Sequence, residues 1–332
     1  MEQYPFPGER ACSALAGQAF PPACRAKRSY LPFALALLVP CAWGQYAGSE
    51  ACRGCHEAQF AAHAKTGHAK ALSRSDRKPG EWAFGAGVQA ITFVSQADED
   101  SYIEHGLSYY KATKSMALTP GHRSPEGERY RTFDPGAAIF RCFQCHATGP
   151  LKLAAGSRIE PSELGVQCES CHGPGAEHAT SQRPIKNPKR LSAAELNDAC
   201  GQCHRKPAAA GADTDWSNPW NARHQPLYLS QSACFRNSKG ALSCLTCHAA
   251  HTELSRDSAS YNRRCAGCHV KPKHRAAVAE QSCVGCHMPS VVPLAIDGRP
   301  ALRFANHWIG IYSGNSLKPA SSTSRRPTSP RP

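Results

Sequence analysis

The sequence predicts a mainly α chain with much irregular coil and one small β-hairpin, wrapped around bulky groups that the polypeptide does not itself supply. Three observations carry that expectation. The pattern Cys-x-x-Cys-His occurs seven times. Glycine and proline, 26 of each in 332 residues, break the chain before a long apolar period can build. One stretch, residues 82–110, is rich in β-branched and aromatic residues at strand spacing.

The elements follow in chain order. Residues 1–44 read as an export signal: Arg25, Lys27 and Arg28 precede the apolar run YLPFALALLVPCA, and Ala42-Trp43-Gly44 offers small residues for cleavage before Gln45. The run is too short to span a bilayer. Pro40 before Cys41 argues against a lipid anchor at that cysteine. Residues 45–312 form the folded domain. Residues 49–72 are alanine-rich and free of proline, and predict a helix capped by Ser49. GVQAITFVSQ and SYIEHGLSYY flank the turn-like residues 97–100 and predict a small hairpin, which Pro120-Gly121 closes. Ser192-Ala-Ala-Glu195 is a capping box that starts a helix running into a later motif. Residues 313–332 are mostly Ser, Pro and Arg without an apolar period, and are expected to be disordered.

The seven motifs are Cys52-Arg-Gly-Cys55-His56, Cys142-Phe-Gln-Cys145-His146, Cys168-Glu-Ser-Cys171-His172, Cys200-Gly-Gln-Cys203-His204, Cys244-Leu-Thr-Cys247-His248, Cys265-Ala-Gly-Cys268-His269 and Cys283-Val-Gly-Cys286-His287. Chance would give on the order of 0.05 matches in a chain of this composition. A zinc knuckle needs four ligands and so comes in pairs, with no demand for a histidine after every second cysteine. A thioredoxin-like pair sits once, at a helix start in a βαβ unit. Covalent attachment of c-type haem needs this arrangement: two thiols bond the porphyrin vinyl groups, and the adjacent histidine lies under the iron. The chain is therefore expected to hold seven covalently bound haem c groups. Only 13 residues separate His269 from Cys283, so the haems must pack against one another. The fold expected is that of a multihaem cytochrome c, wound around a stacked haem core.

The formal charge of +14 does not indicate a nucleic-acid binder. Seven ferric haems with ionised propionates would add roughly −7, and without the two terminal segments the domain carries about +8. No basic stripe interleaved with aromatics is present. Cys234 is the one cysteine of the expected mature chain outside a motif, and reads as a buried inert thiol.

The ligand opposite each motif histidine decides between electron carriage and chemistry at an open iron. Nine histidines lie outside the motifs: His63, His68, His105, His122, His178, His224, His251, His274 and His307. That is enough for seven bis-histidine irons with two to spare. GVQCESCHGPGAEH, Cys247-His248-Ala-Ala-His251, CVGCHMP and Asn306-His307-Trp308-Ile309 resemble the multihaem cytochrome c family that includes the tetrahaem electron acceptor of hydroxylamine oxidoreductase. The resemblance covers most of residues 48–310. It implies that His68, His178, His251 and His307 are distal iron ligands. His274, ahead of Cys283, and His122, in the turn Pro120-Gly121-His122, complete the expected set, while His63, His105 and His224 compete for the last place.

The function expected is that of a periplasmic or extracellular electron carrier of an anaerobic, nitrogen or metal respiratory chain. Its partners would be redox proteins at the membrane or in the periplasm, with membrane association through a partner. Two alternatives stay open: an oxidoreductase with one open haem acting on a small nitrogen or sulfur compound, and a filament subunit whose spare histidines complete a neighbour's haem.

Overall fold

A computed structural model of the chain describes residues 44–75, 80–132, 138–212, 223–270, 274, 282–292, 302–313, 316 and 318–320. The expected export signal and most of the expected disordered tail lie outside these residues. Among the described residues, no helix is long and apolar enough to cross a membrane.

The chain opens with α1 (Ser49–Arg53) and α2 (Glu57–His63). The single helix expected over residues 49–72 is thus two short helices and a loop. The N-cap of α1 is Gly48, with φ 78° and no side chain to cap the helix; Ser49, expected as the cap, lies in the first turn, where its hydroxyl accepts the Cys168 N–H at 3.4 Å.

The expected small hairpin is part of a larger antiparallel sheet. Its strands are β1 (Leu72–Arg74), β2 (Trp82–Phe84), β3 (Ala90–Asp98), β4 (Ser101–Glu104), β5 (Leu107–Tyr110), β6 (Ser115–Leu118) and β7 (Glu128–Arg131). They run in the order β1-β2-β3-β4-β7, and β5, paired with the start of β3, carries β6. "Mainly α" therefore describes only part of the chain. The sheet gains its face from α3 (Ala138–His146), whose Ile139 and Phe143, one helical turn apart, are both buried. Phe143 meets Trp82 and Phe84 edge to face, each at 5.0 Å between ring centres. Leu72, Val94, Tyr102 and Ile159 complete this core. The Tyr102 hydroxyl accepts the Ile159 N–H at 2.7 Å and ties the sheet to the hairpin of β8 (Ala147–Ala154) and β9 (Arg158–Leu164).

The remainder is a succession of short helices: α4 (Cys168–His172), α5 (Ala176–Ser181), α6 (Ala193–His204), α7 (Gln225–Gln231), α8 (Ala233–Asn237), α9 (Cys244–Cys247), α10 (Ser258–Ala266) and α11 (Cys283–His287). The capping box is present as expected: Ser192 Oγ accepts the Glu195 N–H at 3.3 Å, and Glu195 Oε2 accepts the Ser192 N–H at 2.8 Å. A second, smaller core joins Tyr110 and Tyr228 to Val291, Leu302 and Phe304, with β10 (Ser290–Val291) paired to β11 (Phe304–Ala305).

Candidate haem-binding sites

Each motif sits on a turn of helix or at its end. Helical spacing puts residues i, i+3 and i+4 on one face, so both thiols and the histidine of Cys-x-x-Cys-His can address one flat group. The second, third, fourth and seventh motifs end α3, α4, α6 and α11 on their histidines. His248 directly follows α9, His56 begins α2, and Cys265 lies in the last turn of α10.

Five motif histidines face a histidine from another part of the chain. Ring centres are 6.3 Å apart for His56 and His178, 6.0 Å for His172 and His251, 6.1 Å for His204 and His68, 6.2 Å for His248 and His307, and 5.9 Å for His287 and His274. Two imidazoles on opposite sides of one metal would stand about 6 Å apart, given metal–nitrogen bonds of about 2 Å and about 1 Å from each ring centre to its nitrogen. The first two pairs are also nearly parallel, at 16° and 9° between ring planes.

Hydrogen bonds fix the tautomer of several of these rings. Nδ1 donates to the carbonyl of Lys186 from His172, of Arg183 from His178, of Arg223 from His204, of Gly310 from His287 and of Ala305 from His307, at 2.7–3.0 Å. A carbonyl only accepts, so Nδ1 must carry the proton. That leaves the Nε2 lone pair for a metal. Burial acts in the same direction. It lowers His68 and His307 to about 4, with neighbouring histidines such as His204 (for His68) and His248 (for both) adding to the shift. His204, His248 and His251 are lowered too, again chiefly by burial. Burial thus favours the neutral form of these five rings, the form that ligates.

His146 and His269 differ. The His146 Nδ1 is held by the Ala71 carbonyl at 2.9 Å, and Phe84 lies edge-on at 5.2 Å between ring centres. Among the described residues, no histidine ring pairs with His146 or with the exposed His269. His122, expected opposite an iron, is buried with its Nε2 3.3 Å from Glu104 Oε2. Of the other candidates, His63 Nε2 lies 3.0 Å from the Val166 carbonyl, His105 Nε2 bonds Ser95 Oγ at 2.8 Å, and His224 precedes α7.

Two residues that sequence reasoning passed over hold motifs in place. Glu169, inside the third motif and 2% exposed, accepts the N–H groups of Ala47, Gly48 and Gly175 at 2.6–2.9 Å. Asn197, one turn before Cys200 and equally buried, accepts the Cys244 N–H at 3.1 Å and donates to the Leu242 carbonyl at 3.0 Å. The only available signal was a polar residue at an inward helical position, which a sequence cannot distinguish from a surface one.

Thiols from different motifs also meet. Cys52 interacts electrostatically with Cys168, Cys145 with Cys203, and Cys200 with Cys244. Among the described residues, no three His, Cys, Asp or Glu side chains converge as a zinc site requires. The thiols and opposed histidines fit a set of planar, iron-bearing groups.

The family model described as cytochrome c554 and c-prime matches residues 106–173, which include the second and third motifs. The multiheme cytochrome MtrA of Shewanella baltica (strain OS185) is 26% identical over 178 residues, 49% of this chain and 44% of that protein. The chain is related to the multihaem c-type cytochromes. Covalently bound haem c follows from that relation and from the motifs. Among solved structures, the chain aligns with the undecaheme cytochrome from the S-layer of Carboxydothermus ferrireducens at a TM-score of 0.47 and 17% identity, covering 81% of this chain and 52% of that one. The outer cell wall cytochrome OcwA aligns at a TM-score of 0.49 and 16% identity, covering 80% and 79%. The match to MtrA spans less than half of that relative's length.

Proposed function

We propose that this chain is an exported heptahaem electron-transfer protein with five bis-histidine irons, ligated by His56 with His178, His172 with His251, His204 with His68, His248 with His307 and His287 with His274. The observation that carries this reading is the common 5.9–6.3 Å ring spacing of those five pairs. When bound, each haem supplies a one-electron iron centre. The polypeptide's part is to orient the imidazoles of His172, His178, His204, His287 and His307 through Nδ1–H···O=C bonds, to keep His68, His248 and His251 neutral by burial, and to close both faces of five irons to other ligands. Its electrons would pass between a redox protein at the membrane and another donor or acceptor. Intact mass of the exported protein should show seven porphyrin increments, and its ferric spectrum should be dominated by low-spin signals. A bare polypeptide mass would refute the proposal.

A second reading is favoured by one observation: the proton on His146 Nδ1 leaves its Nε2 for an iron that no described histidine caps from the other side. An open iron there would bind a small nitrogen or sulfur compound. Carbon monoxide titration of the reduced protein should then saturate at one or two equivalents per chain. Complete indifference to carbon monoxide and nitric oxide would leave outer-sphere electron transfer alone.

A further inference from the structure

The motifs do not neighbour one another in sequence order, and the thiol contacts reveal the order they do adopt. Once loaded, each motif sulfur is bonded to the edge of a porphyrin, so two sulfurs in contact bring two porphyrin edges together. Cys203 of the fourth motif interacts with Cys145 of the second. Cys200, on the same helical turn, interacts with Cys244 of the fifth, whose Sγ lies 3.3 Å from Asn197 Oδ1 on the same helix as Cys200. Cys171 of the third motif also lies within electrostatic reach of Cys200. Three motifs thus surround one.

Polar anchors outside the motifs hold the same arrangement. Asn197 binds the Cys244 backbone to α6, the helix that carries the fourth motif. The loop of residues 66–71 supplies His68 opposite His204, and its Ala71 carbonyl also holds the His146 ring of the second motif. Gln167, beside the third motif, donates to the Ala69 carbonyl of that loop at 3.2 Å. One short loop therefore touches the second, third and fourth sites.

Beyond this centre the neighbours are simple. The first motif adjoins the third through Cys52 and Cys168, with Glu169 pinning the chain just before α1. The fifth leads to the sixth and the sixth to the seventh, since α10 packs on both α9 and α11 and Cys265 lies beside Cys247 and Cys283.

We propose that the fourth site, Cys200–His204, is the junction of a branched conduit with three arms: the third and first sites, the second site alone, and the fifth, sixth and seventh in line. This rests on the heptahaem reading above. The fourth site joins the three arms, and the second is a spur; His251, opposite His172 and three residues after His248, also brings the third and fifth sites side by side. Each hop oxidises one ferrous iron and reduces its ferric neighbour, with no bond made and no proton moved. One-electron redox proteins are the source and the sink.

The test uses the full haem-loaded chain. Iron positions from anomalous scattering of wild-type crystals should make the irons of the second, third and fifth sites the three nearest to that of the fourth. A second measurement works in solution. In His68→Met, a thioether opposite His204 raises that iron's potential, so it reduces first and its paramagnetism disappears first. Three other ferric signals in the electron paramagnetic resonance spectrum should then change together. Two changed signals, or a different set of nearest irons, would overturn the junction. An intact mass short of seven increments would refute the heptahaem reading first, and the junction with it only if the bare motif is the second, third, fourth or fifth.

Discussion

The region of residues 72–164 and the region of residues 193–313 carry the same type of motif but are built in opposite ways. In the first, α3 presents its second motif from a helix whose other face is packed by Trp82, Phe84 and Tyr102, so the polypeptide owns a core before any haem arrives. In the second, helices of 4 to 12 residues carry four motifs. Among the described residues, their apolar packing is a small cluster around Tyr228 and Phe304, which takes Tyr110 from the sheet, with Leu196, Leu227 and Leu229 also buried, while Leu254 and Val270 are 69% and 79% exposed. Helices this short are marginal without tertiary support. The same haem-binding signature can thus be mounted on a folded protein scaffold or can itself be the scaffold.

The largest effect expected from this contrast is on the haem-free chain. Expressed without haem attachment, with its thiols kept reduced, the chain should keep amide protection in β1–β4 and α3 and lose it throughout α6–α11. Hydrogen exchange read by mass spectrometry checks this. Uniform protection, or uniform loss, would end the distinction.

Next in size is Phe143→Ala, which removes the ring that Trp82, Phe84 and Tyr102 all touch. A cost of about 3–5 kcal/mol is expected, as for a large aromatic deleted from a packed core, measured by denaturant unfolding of the loaded protein. Protection in the sheet should fall while the low-spin signals of the fifth and seventh sites stay unchanged.

How much of this was legible beforehand differs between the two regions for the same physical reason. The motifs, the Ser192 cap and the candidate ligands are local patterns, and His68, His178, His251, His274 and His307 do stand across from motif histidines. Which motif each one faces was not legible, because His251 crosses to His172 and His68 to His204 through contacts that only the folded chain makes. The sheet was under-read because β1, β2 and β6 are three or four residues long and β7 reads Glu-Arg-Tyr-Arg. An alternation needs more residues than that to rise above background. Their pairing is justified only by the partner strand and by α3.

Two substitutions separate the joints from the cores. Glu169→Ala strips three N–H groups of their acceptor in a buried place, and each such loss costs about 1–3 kcal/mol. About 3 kcal/mol or more is expected, with the first site freed from the third, so His56 should lose His178 and its low-spin signal should weaken. Asn197→Ala leaves the Cys244 N–H and the Leu242 carbonyl without their partner, for about 2 kcal/mol. It should loosen the fifth site and leave the sheet's protection untouched.

A further effect is that of pH, which acts through the buried imidazoles. His68 and His307 are neutral in the fold because burial lowers them from 6.5 to about 4. The unfolded chain binds protons at these positions below about pH 6.5 and the folded chain does not until about pH 4, so across that window the unfolded state holds more protons and stability rises with pH. Their contribution is complete above pH 6.5, declines as pH falls to about 4, and changes no further below that. Iron ligation acts in the same direction, since a protonated imidazole cannot bind. The sheet region carries two such imidazoles of its own, His146 against Phe84 and His105 bonded to Ser95, both lowered by burial. Denaturant midpoints at pH 7, 5.5 and 4, with hydrogen exchange at each, should therefore fall as the pH falls, with the site of His248 and His307 among those that open. A midpoint constant from pH 7 to 4 would mean that these two imidazoles are not enclosed in the neutral form.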